Sequence, residues 1–359
     1  MRDSIRKMLK LLAAWLAFYS GFLSLYLYLR RKLSWLPDFT ILMYHRVLDG
    51  EDSRGNHFPP GMVTLEDTFE KQMKFLKAHY SVISLDALIG FLTNNKKPPP
   101  GSIIITFDDG WRDNYLFALP VLKKYDLPAT IFLCTDYVGT CRMFWFQAVD
   151  SALRSGALTS RRMTDILNKF EEFRPEEKKA MVQCLASTEA LIEKLKGLKP
   201  ELQEKIVRAM TAKSDLRISE TPNRRWMLNW EEIEEMGRNR ISFGSHANSH
   251  RILTHLNVAE IQEELIRSKR TIEERTRKQA SSFAYPNGDY TSQIRELVME
   301  AGYLGACAAR RTGKKRDEID RFALPRTGIH EGMSAGVRGK FSKALFACRV
   351  AGLLIRRRG

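Results

Sequence analysis

Two adjacent carboxylates follow a short run of apolar and β-branched residues. The run is 103–107, and Asp108, Asp109 and Gly110 come directly after it. Such a run predicts a buried strand, and in α/β folds sites are built where strands end. Because adjacent carboxylates repel each other, we expect one to bind a cation or share a proton and the other to act as a base. Taken alone, the pattern also fits a loop with a left-handed glycine.

Two histidines follow a second predicted strand. The strand is 241–244, and His246 and His250 come after it, four residues apart. On a helical turn this spacing projects both imidazoles from one face. Two neutral imidazoles with one carboxylate are a common ligand set for a catalytic divalent metal with open positions. A lone histidine favours a structural role, but the pair combined with Asp108 and Asp109 favours a metal site.

Three short motifs occur in a fixed order along the chain. They are TFDDG at 106–110, SHANSH at 245–250 and AYPNG at 284–288. With these motifs the sequence resembles the NodB-homology polysaccharide deacetylases, carbohydrate esterase family 4, over roughly residues 40–330 outside a helical insertion. The resemblance implies a distorted (β/α) barrel and metal-dependent hydrolysis of N-acetyl groups on sugars.

The resemblance also implies a role for each motif residue. Asp108 would act as the general base. The ligands of zinc or a similar divalent ion would be Asp109, His246 and His250. The backbone N–H of Asn287 would help to hold the oxyanion.

The sequence departs from the family pattern at two points. Many members carry an arginine where this chain has Ala284, and many carry an acid histidine in a late motif that is missing here. His45, in the segment 43–47, is similar to the N-terminal motif of the circularly permuted poly-N-acetylglucosamine deacetylase branch, in which the acid histidine comes first. Arg326 is the candidate cation that holds the base ionised. A core or capping role for His45 and a surface salt bridge for Arg326 stay open as alternatives.

Short β-rich runs alternate with helical patterns on both sides of a charged central segment. Such alternation predicts a parallel α/β architecture. Asn257 with Glu260 three residues later predicts an N-cap and capping box of a helix to about Arg277. The barrel is assigned to residues 37–330. The predicted strands are 41–44, 103–107, 129–134, 241–244 and 282–285. Residues 151–225 have no β-rich run and predict a helical insertion in this barrel.

The N-terminal part of the chain contains an uncharged apolar run. Residues 11–29 number 19 and would span about 28 Å as a helix, close to one bilayer core. Basic residues flank both ends, and Trp15, Tyr26 and Tyr28 suit the membrane interface. Residues 1–36 therefore predict a single uncleaved membrane anchor, with a buried core helix as the alternative. Positive charge on both flanks leaves the side of the membrane open.

The C-terminal part, residues 331–359, is basic and lacks acidic residues after Glu331. Its apolar residues recur at helical spacing and predict a basic amphipathic helix that suits a membrane surface. The alternative, weighed equally, is a tail that packs on the domain or stays solvated. The predicted apolar face consists of Phe341, Leu345, Cys348, Gly352 and Ile355.

Composition limits the function classes. The chain has 359 residues, a formal charge of +16 and 44% hydrophobic residues, so it can build a sizeable core. Five cysteines without a C-x-x-C pair argue against a disulfide scaffold and a thiolate zinc site. The basic residues cluster beside apolar stretches and no nucleic-acid-binding motif occurs, which argues against a nucleic-acid partner.

These observations predict a membrane-associated hydrolase of carbon–nitrogen bonds other than peptide bonds. Its substrate would be an N-acetylated envelope or exopolysaccharide-related saccharide, polymeric or lipid-linked, and acetate would be released. Asp108 would remove a proton from water, and His45 would protonate the departing amine. The alternatives are a deformylase or other amidohydrolase using the same site, or a non-catalytic saccharide-binding pseudoenzyme.

Overall fold

The computed structural model describes residues 2–33, 38–50, 61–212, 225–308, 319–336 and 339–353. The chain divides into two compact units. The first unit comprises residues 1–49, 63–139 and 227–359, and the second comprises residues 50–62 and 140–226.

The first unit contains a closed barrel. The strands are β1 (Phe39–Tyr44), β2 (Arg46–Leu48), β3 (Val63–Leu65), β4 (Ser102–Phe107), β5 (Ala129–Leu133), β6 (Ile241–Ser245), β7 (Ser282–Ala284), β8 (Gly305–Ala308) and β9 (Leu324–Gly328). Among the described residues, seven of these strands close in the order β1-β4-β5-β6-β7-β8-β9, whereas β2 and β3 form a separate pair. Every pairing in the barrel is parallel. The predicted (β/α) barrel is therefore confirmed, and all its strands end at the same rim.

Helices surround the strands of the first unit and build the second unit. They are α1 (Arg2–Tyr19), α2 (Phe22–Leu33), α3 (Glu66–His79), α4 (Leu85–Thr93), α5 (Leu119–Lys124), α6 (Trp145–Arg154), α7 (Ser160–Leu167), α8 (Pro175–Gln183), α9 (Thr188–Lys196), α10 (Pro200–Thr211), α11 (Trp230–Gly237), α12 (Val258–Thr276), α13 (Ser292–Glu300), α14 (Glu331–Ser334) and α15 (Lys343–Val350). Helices α6 to α10 belong to the second unit, and the others belong to the first.

Apolar side chains on both faces fix the central strands. Strands β4 and β5 are buried along their full length, which is expected for parallel strands that are covered on both sides. One core cluster joins residues of six strands, and a larger cluster lies between strands and helices. The six strand residues are Ile41, Ile104, Phe132, Ala284, Cys307 and Leu324.

The predicted cap of the long helix α12 is confirmed. Asn257 Oδ1 accepts a hydrogen bond from the backbone N–H of Glu260, and Glu260 Oε2 accepts one from the N–H of Asn257, both at 3.0 Å. This capping box satisfies N–H groups that the first helical turn leaves unpaired. Helix α12 begins at Val258 and ends at Thr276.

The second unit is helical, as the segment without β-rich runs predicts. Its five helices share a core of their own, which includes Val149, Met163, Leu191 and Ile206. The sequence predicts an insertion at residues 151–225. The compact unit is larger, because it consists of residues 140–226 together with residues 50–62.

The apolar N-terminal run forms two helices with a bend between them, and not the single straight helix that the sequence predicts. Helices α1 and α2 are bent by 71° relative to each other at a break after Tyr19, where Gly21 has φ +80°. Of the described helices, none alone is long and apolar enough to cross a membrane, although this bent pair meets that criterion together. One face of the pair packs on the first unit, because Ala14 and Leu23 are buried in its main core cluster.

The C-terminal helix packs on the barrel domain. Helix α15 buries Ala344, Phe346 and Cys348 in the main core cluster, and the ring of Phe346 lies 5.8 Å from that of Phe75. The helix is shorter than predicted because it begins at Lys343 and ends at Val350. Of the two alternatives for this segment, packing on the domain is what the structure contains. Ile355, the last residue of the predicted face, lies outside the described residues.

Candidate active site

The candidate catalytic and metal-binding residues lie at one rim of the barrel. Asp108 and Asp109 follow β4, His246 follows β6 and His45 follows β1, while Arg326 lies within β9. Because the strands are parallel, these ends are brought together at the face where (β/α) barrels build their sites.

Three possible ligand atoms lie close together, one each from Asp109, His246 and His250. Oδ1 of Asp109 lies 3.3 Å from Nε2 of His250 and 3.6 Å from Nε2 of His246. One possible ligand atom from each of these residues lies within 4.8 Å of the other two. Two imidazole nitrogens and a carboxylate oxygen at such distances fit a divalent cation that keeps open coordination positions.

The imidazole of His246 is held in one orientation and one tautomer. Its Nδ1 lies 2.7 Å from the carbonyl oxygen of Ala284, which can only accept, so the proton is on Nδ1 and the lone pair of Nε2 faces Asp109. Burial lowers the pKa of His246 to about 4, against the opposing effect of Asp108 and Asp109. The ring is therefore neutral at pH 7, as a metal ligand must be.

The segment from His246 to His250 is an irregular loop, so the predicted helical turn is wrong. Ala247 and His250 have φ angles of +63° and +60°, which no right-handed helix contains. The backbone N–H groups of Asn248 and Ser249 donate to Glu264 Oε2, each at 2.8 Å. Because Glu264 satisfies these donors, the loop is fixed without helical hydrogen bonds.

The two oxygens of Asp109 have different surroundings. Oδ2 accepts a hydrogen bond of 2.9 Å from the indole N–H of Trp111. Oδ1 is buried and has no hydrogen bond within the described part of the chain. Burial raises the pKa of Asp109, but the adjacent imidazole of His250, with those of His45 and His246, holds it well below its usual range. Asp109 is therefore an ionised carboxylate with one oxygen available to a cation.

Asp108 is paired with Arg326. The guanidinium donates from Nη1 to Oδ1 at 2.6 Å and from Nη2 to Oδ2 at 2.7 Å, and both residues are buried. Burial raises the pKa of Asp108, yet the charges of Arg326 and His246 outweigh it and hold the pKa below its usual value. The backbone N–H of Asp108 donates to the carbonyl of Tyr44 on β1. Asp108 is thus an ionised carboxylate beside the candidate cation site.

His45 lies between β1 and β2 and is half-buried. Its carbonyl accepts a hydrogen bond of 3.0 Å from Asn114 Nδ2. Strand β1, which His45 follows, is the neighbour of β4 in the barrel, so His45 comes at the same rim as Asp108 and Asp109. His330 comes two residues after β9, the other neighbour of β1. Two further histidines are therefore placed at this rim.

Asn287 follows β7 in a short turn at Pro286–Gly288. It is exposed, and its φ of +61° lies in the left-handed region. Its side chain donates to Asp289. The role of its backbone N–H toward an oxyanion stays a prediction.

Sequence reasoning missed two residues that contact the candidate metal ligands or the loop that carries them. Trp111 contacts Asp109, and its position directly after the TFDDG motif was the available signal. Glu264 supports the histidine loop from α12, and nothing in its local sequence distinguishes it from other helix residues.

The arrangement is suited to hydrolysis. An ionised buried carboxylate next to a cation site can remove a proton from a water molecule, and a cation can polarise a carbonyl group. A half-buried imidazole at the same rim can supply the proton that a departing amine requires.

Comparisons with known proteins agree with the fold and the motifs. The family model for polysaccharide deacetylase matches residues 95–306, more than half of the chain. YxkH of Bacillus subtilis (strain 168), named for the polysaccharide deacetylases, is 24% identical over 306 residues, which cover 85% of this chain and 76% of that protein. The poly-beta-1,6-N-acetyl-D-glucosamine N-deacetylase of Staphylococcus epidermidis (strain ATCC 35984) is 40% identical over 76 residues, or 21% of this chain and 26% of that protein.

Two solved structures share the fold. The Streptococcus pyogenes deacetylase PplD in complex with acetate has a TM-score of 0.53 and 19% identity, with 83% of this chain and 95% of that chain covered. IcaB from Ammonifex degensii has a TM-score of 0.53 and 16% identity, with 89% and 97% covered.

Proposed function

The chain belongs to the polysaccharide deacetylase family, and we propose that it removes the N-acetyl group of an envelope or exopolysaccharide-related saccharide by metal-dependent hydrolysis. The products would be acetate and a free amine. The observation that carries this proposal is the paired Asp108 and Arg326 beside the converging ligand atoms of Asp109 and two histidines.

The residues that would hold the cation are Asp109, His246 and His250. Their donor types fit zinc or a similar divalent ion, and the hydrogen-bond-free Oδ1 of Asp109 fits a ligand oxygen. When bound, such an ion supplies Lewis-acid polarisation of the carbonyl and of the attacking water.

The other site residues would move the protons. Arg326 keeps Asp108 ionised, so that Asp108 can accept the proton of the attacking water. His45 would then donate a proton to the amide nitrogen as the bond to carbon breaks. Without that proton the amine is a poor leaving group, which is why both an acid and a base are needed.

The names of the relatives support an N-acetylglucosamine polymer as the first substrate to test. Staphylococcal proteins with the name poly-beta-1,6-N-acetyl-D-glucosamine N-deacetylase are 40–42% identical over 76 residues. A lipid-linked or nascent envelope glycan is the second substrate, because it fits the membrane attachment proposed below.

The decisive experiment measures acetate release from N-acetylated oligosaccharides by the purified full chain. We expect release that a chelator stops and added zinc restores, and loss of release with metal retained in Asp108→Asn. The same saccharides carrying N-formyl groups, and a non-sugar acetamide, would distinguish a deformylase or another amidohydrolase. Saccharide binding with a full metal site but without acetate release would contradict the proposal in favour of a binding protein.

We further propose that the N-terminal helix pair attaches the enzyme to membrane lipid. Large apolar side chains on α1 and α2 are exposed although the opposite face is packed. The sequence supplies basic residues in the first half of α1 and at the end of α2, which an anionic membrane surface attracts. The bend of 71° and the packed face favour a pair that lies in the interface. The exposed apolar side chains include Met8, Leu9, Leu12, Trp15, Leu16, Tyr19, Phe22, Leu25, Tyr28 and Leu29.

Vesicle flotation would test this attachment. We expect the combined substitution Leu12→Gln, Trp15→Gln and Leu16→Gln to reduce binding to vesicles with anionic lipid, while folding is unaffected because these side chains are 52–54% exposed. Ile266→Gln on α12 is the matched control, since Ile266 is 55% exposed. Equal flotation of both variants would contradict the proposal. Removal of the basic segment 356–359, which leaves helix α15 intact, should reduce only the part of binding that weakens with salt.

A further inference from the structure

A chain of three contacts connects Asp113 with the proposed metal ligand Asp109. Asp113 Oδ2 accepts a hydrogen bond of 2.7 Å from Arg46 Nε. The guanidinium carbon of Arg46 lies 4.4 Å from the ring centroid of Trp111. The indole N–H of Trp111 donates to Asp109 Oδ2 at 2.9 Å. We call Arg46, Trp111 and Asp113 the Trp111 cluster.

The Trp111 cluster is a costly arrangement if its purpose is packing alone. Its three side chains are at most 4% exposed, so a full ion pair is buried beneath the rim. Taking two charges out of water carries a desolvation penalty that apolar residues of similar volume avoid. A buried ion pair can nevertheless fix the position of a neighbouring group. Here that group is the indole of Trp111, which contacts the guanidinium of Arg46.

The indole N–H decides which oxygen of Asp109 faces the histidines. A carboxylate has two equivalent oxygens that can exchange by rotation about χ2. Because Trp111 has one donor and gives it to Oδ2, Oδ1 is left facing His246 and His250 at 3.6 and 3.3 Å. Groups that hold a metal ligand in this way commonly influence affinity for the metal.

We propose that Trp111 is a positioning residue for the divalent metal, and that Arg46 and Asp113 position the indole. The proposal rests on the proposed metal-dependent function. It assigns Arg46 a role that differs from that of its neighbour His45, the candidate acid. Asp113 fixes this segment further, because its Oδ1 accepts a hydrogen bond of 3.0 Å from the backbone N–H of Val47.

The first experiment is a zinc titration of the metal-free full chain in competition with a chromophoric chelator. Trp111→Phe keeps a six-membered aromatic ring beside Arg46 and removes the N–H together with the rest of the pyrrole ring. We expect its zinc affinity to fall about 10- to 100-fold, the usual effect of losing a group that orients a ligand. Affinity within about twofold of wild type would overturn the proposal.

Trp230→Phe is the matched control. Trp230 also carries a cation on its ring face, with Arg275 at 5.7 Å, but no metal ligand among the described residues accepts from its indole. We expect wild-type zinc affinity in this variant. The cobalt(II) absorption spectrum provides a second readout, which should change in Trp111→Phe and not in Trp230→Phe.

The second experiment is a double-mutant cycle with Arg46→Lys. Lysine keeps a charge opposite Asp113 but lacks the planar group that stacks on the indole. We expect Arg46→Lys to weaken zinc binding several-fold in the wild-type background and to have little effect in the Trp111→Phe background. An equal factor in both backgrounds would show that Arg46 acts by another route and would overturn its part of the proposal.

These measurements need no turnover, so they are separate from the test of deacetylation. If wild type binds zinc but releases no acetate, the positioning role of Trp111 is judged by the titrations alone. If wild type binds neither zinc nor cobalt, both the metal dependence and the positioning role are contradicted. Thermal unfolding of each metal-free variant reports whether the substitution disturbs the fold; if Trp111→Phe fails to fold, the Arg46→Lys titration decides, and wild-type affinity there would overturn the proposal.

Discussion

Arg326 and Asp108, positioned by the strands at either side of β1, form a bidentate ion pair with N···O distances of 2.6 and 2.7 Å. The two residues are 218 positions apart in the sequence. Arg326 is inside β9, where it pairs with Ile41 of β1, and Asp108 follows β4 on the other side of β1. A cation thus reaches Asp108 from β9, whereas Ala284 lies on β7.

Removing the charge of Arg326 should raise the pKa of the proposed base, Asp108. In Arg326→Met the burial of Asp108 is no longer opposed by a facing charge, so its pKa should rise. The acidic limb of the pH–rate profile should then move upward by at least about one unit. Arg326→Lys, which keeps the charge, should move it less. An unchanged acidic limb in Arg326→Met would show that Arg326 does not control the ionisation of the base.

The substitution Arg326→Met should also lower the free energy of unfolding. Breaking a buried ion pair leaves an uncompensated charge and typically costs about 3–5 kcal/mol. Arg326→Met combined with Asp108→Asn should recover much of that free energy of unfolding, because no charge is left buried, while activity stays lost. Urea unfolding of the two variants measures the difference.

Substitution of a proposed metal ligand should remove the metal without unfolding the protein. His246→Ala and His250→Ala should each lose bound zinc and acetate release and keep a folded barrel, because catalytic ligands contribute more to chemistry than to packing. His255→Ala is a suitable control, since His255 lies in a short turn outside the proposed ligand set. Metal analysis and circular dichroism check the variants. Full metal occupancy in both ligand variants would refute the assignment.

The metal-free protein should lose stability in a defined pH range. The pKa of His246 is about 4 in the folded chain because burial lowers it, whereas an unfolded histidine titrates near 6.5. The unfolded chain therefore binds more protons between these values, and the free energy of unfolding should fall as the pH falls from 6.5 to 4. The loss is on the order of 3 kcal/mol. The aspartates next to it have lowered pKa values and stay ionised in this range.

Urea unfolding in the presence of a chelator, repeated from pH 7.5 to pH 4.5, measures this loss. His246→Asn should have a flatter dependence on pH, since it removes the group that titrates. His330, whose pKa is also lowered by burial, contributes in the same direction and should remain in both proteins. The same slope in wild type and variant would mean that His246 is not the group responsible.

The sequence predicted the parts of this fold that depend on local patterns. Strand β4 is recognisable because it is rich in apolar and β-branched residues, and Asn257 because a cap has a local signature. Strands β8 and β9 were missed for the opposite reason. The first is built of glycine, alanine and cysteine, and the second contains Pro325, so neither has the β-branched composition that marks a strand.

The site was predictable in its residue types and less so in its geometry. The motifs indicated Asp109 and two histidines, but the irregular loop that carries His250 depends on a tertiary contact with Glu264. The contact between Trp111 and Asp109 likewise depends on side-chain orientation, which a linear pattern does not contain.

The last prediction concerns His45, which should be the general acid. Amide cleavage needs a proton on the leaving nitrogen, the proposed ligand histidines must be neutral, and Asp108 begins the reaction as an ionised base. His45 follows β1, the neighbour of β4, and so comes at the same rim as both carboxylates. We therefore expect His45→Ala to lose the basic limb of the pH–rate profile and to keep its metal.

Two substrates separate proton donation from positioning. An ester with a good leaving group needs little help from an acid, so His45→Ala should fail far more on an N-acetyl amide than on such an ester. His330→Ala is the informative comparison, because His330 also lies at this rim and would show the same pattern if it were the donor. Equal losses on both substrates, or loss of bound metal in His45→Ala, would mean that His45 orients the site or binds the ion, since neither effect depends on how readily the leaving group departs.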